Sequence, residues 1–510
     1  MLLSVAQIRE TEEFTIKTEP IAPIDLMERA ASLFAKKLVE EIDLDSFCEI
    51  IVVCGPGKNG GDGLVIARYL AENHKVLVVD SCFDSKPCEE FIINYALIEG
   101  NSNVTIVKAD QFIQGGNPFT PPFFPLIIDA LFGIGLTRKL TGSFEKLVHY
   151  INQINGYVVA VDVPSGLLCD EHTPDDYVSV FAHQVYTFQF PKQAFLLQEN
   201  STRLLSFSVI DIGLLIPPNI FFNKKLINEE VASLLIHPRA LFSHKGTFGH
   251  GLLIAGSSRM PGAALIGAVA AMRGGMGKLT VHAPAKVLDA LTPYLPEAIH
   301  SMDENADWFS GITDSVEQFQ SIAIGPGLGT EKVTLEAFER LLHQIKDAQT
   351  PVSLVVDADA LNMLSKADHL LKLLPPYTIL TPHFKEFERL VGPVENDFHR
   401  LEKLKEFVQE YQLIVVLKGY YSVVALPSGE LFFNQSGNSG MATAGSGDLL
   451  TGLILSLLAQ KYHPHDAALL GVYIHGRAAD LAIQDRHSEE SLIASDIVYY
   501  FGVAFKSLRK

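Results

Sequence analysis

Short runs of β-branched and aliphatic residues recur along the chain, most of them closed by glycine and followed by apolar positions at helical spacing. In the first half, EIIVVCG (49–55), KVLVVD (75–80), PLIIDAL (125–131) and YVVAVDV (157–163) read as strands. In the second half, GLLIAG (251–256), SIAIG (321–325), SLVVDAD (353–359), TILTP (378–382) and LIVVLKG (413–419) do the same. Strands alternating with helices predict an α/β fold in both halves, with parallel sheets covered by helices. The pattern lapses near 212–228, within GLLIPPNIFFNKKLINEE, where paired prolines interrupt it. Domains over 1–215 and 225–510 are therefore expected. The longest apolar runs, near 263–272 and 449–459, fall short of the ~20 residues a bilayer span needs.

Length supports that division, since 510 residues exceed the ~250–300 at which single cores split. Charge narrows the partners. With 40 Lys and Arg against 59 Asp and Glu, the formal charge of −19 opposes binding to nucleic acid or an anionic membrane. An anionic ligand must then be gripped by local donors. Five cysteines (Cys48, Cys54, Cys82, Cys88, Cys169) without a C-x-x-C spacing suggest free thiols in a reducing, cytoplasmic setting. The opening MLLSVAQIRETEEFTIK has no basic segment followed by an apolar core, so no secretory signal is expected.

The first candidate site lies in GPGKNGGDG (55–63), which follows a strand and opens the helix LVIARYLAEN. Its first six residues match G-x-G-x-x-G, and Asp80 ends the next strand, so a dinucleotide-binding dehydrogenase is one reading. Asp62 weakens it, because an acid is unhelpful to a pyrophosphate on that helix. Asp129 and Asp162 end two further strands, and strand ends converge on the ligand crevice of an open parallel sheet. Two carboxylates with an Asn and a Ser hydroxyl suit a hard monovalent cation or acid–base chemistry. Either Asp could also simply cap its turn.

GPGKNGGDGLVIARYL, DALFGIGL and VDVPSGL resemble the N-terminal domain of NAD(P)H-hydrate epimerases, which interconvert the R and S epimers of nicotinamide cofactors hydrated at C6. The resemblance implies a Rossmann-like three-layer αβα domain. It implies that Lys58, Asn59, Gly60, Gly61 and Asp62, the loop Gly133, Ile134, Gly135, Leu136, Thr137, Arg138 and Lys139, and Asp162 hold the hydrate. Asn59, Asp129 and Ser165 would bind potassium, and Asp162 would be the acid–base residue, with Lys192 as helper.

In the second half there is neither G-x-x-x-x-G-K-[ST] nor H-E-x-x-H, and HPH (463–465) reads as loop capping. What stands out is GNSGMATAGSGDLLTG (437–452), a glycine-rich approach to a helix with Asp448 in its first turn. Free N–H groups and the positive helix end favour a phosphate there. An ionised acid at ~4 Å repels that phosphate by roughly 1–4 kcal/mol, more than the helix end returns. The acid makes sense as a base that takes a proton from a hydroxyl attacking the phosphate. The plainer alternative is a helix start with Ser446 as cap and nothing bound.

G-[TS]-G-D is similar to the closing motif of the ribokinase-like superfamily. HKGTFGHGLLIAGSSRMPGAA (244–264), AIGPGLG (323–329), VVDADALNML (355–364), TPHFKEFERLVG (381–392) and LKGYYSVV (417–424) together resemble NAD(P)H-hydrate dehydratases. The resemblance implies a ribokinase-like αβα domain in which Gly262, Ala263, Gly327, His383 and Asp448 meet the hydrate. Lys418, Gly419, Tyr420, Tyr421, Ser422 and Gly447 would hold the nucleotide, ADP in preference to ATP, with Mg2+. For DADAL, turn capping by Asp357 and Asp359 is the simpler expectation. The fused chain would be a homo-oligomer, a tetramer or larger, that repairs NAD(P)H hydrates. The competing readings are a ribokinase-superfamily small-molecule kinase with a regulatory N-terminal domain, and a dinucleotide-sensing module without turnover.

Overall fold

The computed structural model describes residues 1–116 and 123–509. They form two compact units, Met1–Phe222 with Asn396–Phe398, and Asn223–Glu395 with His399–Lys510. Among the described residues no helix is long and apolar enough to cross a membrane.

The first unit is built on seven parallel strands: β1 (Ile50–Cys54), β2 (Val76–Asp80), β3 (Val104–Lys108), β4 (Leu126–Ala130), β5 (Tyr157–Val161), β6 (Gln184–Phe188) and β7 (Phe207–Ile210). Their order is β3-β2-β1-β4-β5-β6-β7, so the chain reverses direction across the sheet between β1 and β4. Alternate residues of one strand feed different cores. Ile50, Val52 and Cys54 pack in one cluster, Ile51 and Val53 in another. A sheet buried on both faces needs such near-continuous apolar runs, which is why β1 reads IIVVC. Helix α1 (Val5–Thr18) starts at a Ser4/Gln7 capping box, and α2 (Lys58–Leu70) follows β1 directly. The turn joining β1 to α2 is tight. A side-chain carbon at Gly55 would lie 2.0 Å from the Leu131 carbonyl oxygen, so only glycine fits.

The second unit carries ten strands: β8 (Lys224–Ile227), β9 (His250–Ile254), β10 (Lys278–Ala283), β11 (Ile299–Met302), β12 (Ser321–Ile324), β13 (Ser353–Val356), β14 (Ile379–Leu380), β15 (Ile414–Leu417), β16 (Val423–Ala425) and β17 (Leu431–Asn434). Their order is β11-β10-β9-β12-β13-β14-β15-β16-β17-β8, antiparallel only where β16 meets its two neighbours. The helices that matter to the site are α3 (Pro261–Arg273), α4 (Ala358–Leu364), α5 (Phe384–Val391), α6 (Ser446–Ala459) and α7 (Pro464–Asp485). The two long apolar runs of the sequence are α3 and α6. They cross through small residues: a carbon at Gly452 would lie 2.1 Å from the Gly267 carbonyl oxygen. From Leu449 to Ala459 every residue of α6 is buried, as expected of a helix apolar on all sides. The stretch read as a lapse of pattern holds a strand, β8, whose two lysines mask its β character.

Candidate active sites

In the first unit, the α2 N-terminal turn, the loop after β4 and the residue after β5 surround a cavity of about 1120 Å³. Lys58, Asn59, Asp62, the loop Gly133–Lys139, Asp162 and Lys192 all line it. Gly60 and Gly61, expected with that run, do not. A carbon at Gly60 would lie 1.7 Å from the Gly55 carbonyl oxygen, and one at Gly61 2.8 Å from Met27 Sδ, so both serve the packing of α2. Lys139 lines the wall while paired to Asp176 at 2.7 Å.

Asp162 sits just past β5 with φ +65°, a left-handed conformation that costs less for Asp than for most residues. Its Oδ1 accepts from Lys192 Nζ (2.7 Å), Thr187 Oγ1 (3.0 Å) and the Phe188 N–H (3.1 Å). Lys192 is 2% exposed and also donates to Thr187 Oγ1 (2.7 Å) and the Phe190 carbonyl (3.0 Å). Among the described residues nothing donates to Oδ2 of Asp162, which leaves one carboxylate oxygen for a ligand. Two further acids line the cavity: Asp62, expected with the glycine-rich run, and Glu12, which sequence reading missed. Burial, then repulsion from Asp162 and Glu12, pushes the Asp62 carboxyl well above its ordinary range, with Lys58 opposing. Burial likewise raises Glu12, which reaches the cavity from α1.

Asp129 and Ser165 are fully buried. Ser165 donates its hydroxyl (2.6 Å) and its N–H (2.8 Å) to Asp129, and accepts from the Phe132 N–H (2.8 Å). Burial still pushes the Asp129 carboxyl up to about 6 against those hydrogen bonds. The Asn59 amide nitrogen is buried without a partner, and a carbon at Gly133 would lie 3.1 Å from the Asn59 Oδ1. A buried carboxylate with no cation paired to it among the described residues, a hydroxyl and a side-chain amide that can turn its oxygen inward fit a hard monovalent cation.

In the second unit, α6 begins after Gly445 (φ +90°), where a carbon would lie 2.7 Å from Ile266 Cδ1. Ser446 is therefore not the cap. It is the first helical residue, and its hydroxyl lies 3.3 Å from His475 Nε2 on α7. Burial, then the Lys418 charge, pushes that imidazole down to about 4. Asp448 is half-buried, and no hydrogen bond or ion pair ends on its carboxylate among the described residues. Burial first, then Asp357 and Asp359, pushes it up to about 7, with Lys418 opposing. Lys418 stands just past β15, and a carbon at Gly447 would lie 3.2 Å from its Nζ. Lys418, Gly447 and Asp448 thus meet at one helix end.

The remaining residues arrive from neighbouring strand ends. His383 forms a bridge with Lys418 and a capping box with Glu386 at the start of α5, leaving its ring half-exposed. Gly419 and Ser422 close a turn on each other, Gly419 N–H to Ser422 Oγ (3.3 Å) and Ser422 Oγ to Gly419 O (3.0 Å). That turn presents Tyr420 and Tyr421 edge to face at 4.8 Å, with Tyr420 67% exposed. Gly327 (φ +65°) rests on α3, where a carbon would lie 2.8 Å from Ala263 Cβ, while Gly262 faces open space. Asp357 departs from the turn-capping expectation. It makes no capping bond to α4, and instead accepts from Lys418 Nζ (3.0 Å) and Thr451 Oγ1 (2.7 Å). Asp359 does hold a loop, accepting the Gly329 N–H at 2.8 Å. His463 accepts the His465 N–H at 3.3 Å, as loop capping requires. No group of three or more His, Cys, Asp or Glu suited to a metal occurs among the described residues.

Two family models match the chain: one for the YjeF-related protein N-terminus over residues 23–194, and one for NAD(P)H-hydrate dehydratase over residues 251–499. A bifunctional NAD(P)H-hydrate repair enzyme of Moorella thermoacetica is 30% identical, over 100% of this chain and 97% of that one. A solved ribokinase-like superfamily protein of Enterococcus faecalis is 26% identical, covering 57% of this chain and 99% of that one, with a TM-score of 0.50. An ADP/ATP-dependent NAD(P)H-hydrate dehydratase of Bacillus subtilis, co-crystallised with ATP and Mg2+, is 34% identical, covering 57% of this chain and 100% of that one, with a TM-score of 0.49.

Proposed function

The chain belongs to the family of bifunctional NAD(P)H-hydrate repair enzymes, and from that premise we propose how each unit acts. The first unit interconverts the R and S hydrates. Asp162 moves the proton through its unbonded Oδ2, while Lys192 and Thr187 fix the other oxygen. Lys58, Asn59 and Asp62 with the Gly133–Lys139 loop hold the substrate in the cavity. Asn59, Asp129 and Ser165 hold a potassium ion, whose charge offsets the buried Asp129 carboxylate.

The second unit dehydrates the S form at the expense of ADP, giving AMP and phosphate. Asp448 takes the proton of the C6 hydroxyl as its oxygen bonds to the terminal phosphorus and the bond to the AMP phosphate breaks. The ring nitrogen lone pair then expels phosphate from C6, and loss of a C5 proton restores the dihydronicotinamide. Phosphorylation turns a poor leaving group into a good one. Lys418, Gly447 and the Gly419–Ser422 turn carry the nucleotide with its Mg2+, and Gly262, Ala263, Gly327 and His383 face the hydrate. The observation that carries this reading is the Asp448 carboxyl raised to about 7 at a helix end beside Lys418, which suits a base working near neutrality.

A cytoplasmic homo-oligomer, a tetramer or larger, belongs to the same reading. Ile92, Ile93 and Leu97, 53%, 40% and 59% exposed on the helix Glu89–Ile98, support an association face. The test of function supplies hydrated NADH as mixed epimers with ADP, ATP or neither. Full recovery of reduced-cofactor absorbance with ADP is expected. Accumulation of a stable phosphorylated product would instead indicate a small-molecule kinase.

A further inference from the structure

A buried carboxylate that reaches two elements at once needs a reason. Asp357 is 1% exposed, and both its oxygens are taken: Oδ1 by Lys418 Nζ (3.0 Å) from the end of β15, Oδ2 by Thr451 Oγ1 (2.7 Å). Thr451 stands three residues after Asp448 on α6, so the two share one face of that helix. The strand end is held tightly as well. A carbon at Gly325 would lie 1.8 Å from the Asp357 carbonyl oxygen, and the next residue, Ala358, sits at φ +49°, a strained conformation for alanine. The Lys418 ammonium is thereby pre-set beside Gly447 before any nucleotide arrives. A lysine on an unfastened stem would have to surrender its rotamer freedom on binding.

We propose that Asp357 is a positioning residue of the second site: tied through Thr451 to the helix that carries Asp448, it holds the Lys418 ammonium against the first turn of that helix, where the terminal phosphate docks. This rests on the dehydratase reading of the second unit.

The same arrangement predicts an electrostatic signature. The charged groups facing Asp448 are Asp357 past β13, Asp359 on α4 and Lys418 past β15, while His475 on α7 stays neutral because burial pushes it down to about 4. Asp448 must be ionised to accept a proton, so the rate falls as pH drops through its pKa. Removing the negative neighbour in Asp357→Asn moves that acid limb to lower pH by about one unit, and removing the cation in Lys418→Met moves it to higher pH. A residue that served only the fold would shift neither.

The experiment measures ADP–Mg2+ binding by calorimetry, and the pH–rate profile of NADH recovery, for the full chain and its variants. Asp357→Asn is expected to weaken ADP binding about tenfold, Thr451→Val to weaken it less, and Thr451→Ser to restore it. Wild-type ADP affinity with an unmoved acid limb in Asp357→Asn overturns the proposal. If that variant does not fold, wild-type ADP affinity in Thr451→Val overturns it instead. If the unaltered chain binds ADP but recovers no NADH, the dehydratase reading fails, while the binding arm still decides the role of Asp357.

Discussion

In the unit Met1–Phe222, Asp162 is gripped on one oxygen by three donors and balanced by a buried lysine, whereas Asp448 stands at a helix end with no hydrogen bond on its carboxylate from the described residues. On the proposed roles, the first arrangement fixes where a proton is taken. The second fixes how readily it is held, since burial and two neighbouring carboxylates raise Asp448 towards neutrality. An acid–base step that must reach either face of a ring centre gains from a fixed oxygen with a charge partner. A single deprotonation of an alcohol, beside phosphates that already repel an anion, gains from a base whose charge is easily quenched.

The largest test of this contrast exchanges the two losses. Asp448→Asn should lower nucleotide-dependent recovery by ~10²–10⁴-fold while epimerisation continues, and Asp162→Asn should leave only the S fraction converted. Loss of both activities in either variant would break the comparison. A smaller effect probes the grip itself. Thr187→Val removes one donor to Asp162 and one acceptor for Lys192, and should slow epimerisation about tenfold, with Thr187→Ser near the original rate, as followed by chromatography of the two epimers. The smallest is thermodynamic. A carboxyl raised in the folded state makes the fold bind more protons than the unfolded chain, so stability declines as pH rises from the unfolded value towards about 7. Asp448→Asn should therefore melt a few degrees higher than the original chain at pH 8, with the gain fading towards pH 4. An equal gain at both would show that its charge is not the cause.

Strands buried on both faces were legible because β1 is an unbroken apolar run and β4 and β12 are apolar but for one residue each, Asp129 and Ser321, and α3 and α6 because they are long apolar runs. The α/β class of both halves followed from their alternation. β8 was illegible, since Lys224 and Lys225 on an edge strand read as linker, whereas β14, only two residues long, was legible within TILTP. At the sites, glycine-rich turns marked the right strand ends but not each glycine's task, because Gly60 and Gly61 are set by distances to Gly55 and Met27 that no local pattern encodes. Glu12 lay outside any motif, being brought in by α1. Asp357 could have been found, as an acid ending an apolar strand, yet its pairing with Lys418 spans 61 residues and only the sheet order places the two together.

β8 has a consequence for synthesis. It is the first strand of its unit to leave the ribosome, yet its partner β17 begins at Leu431, about 200 residues later, which at ~5–20 residues per second is a wait of roughly 10–40 s. Through that interval an edge is open to wrong pairing with other nascent chains, and two lysines in a four-residue strand guard it until Lys225 can settle on Glu430 at 2.8 Å.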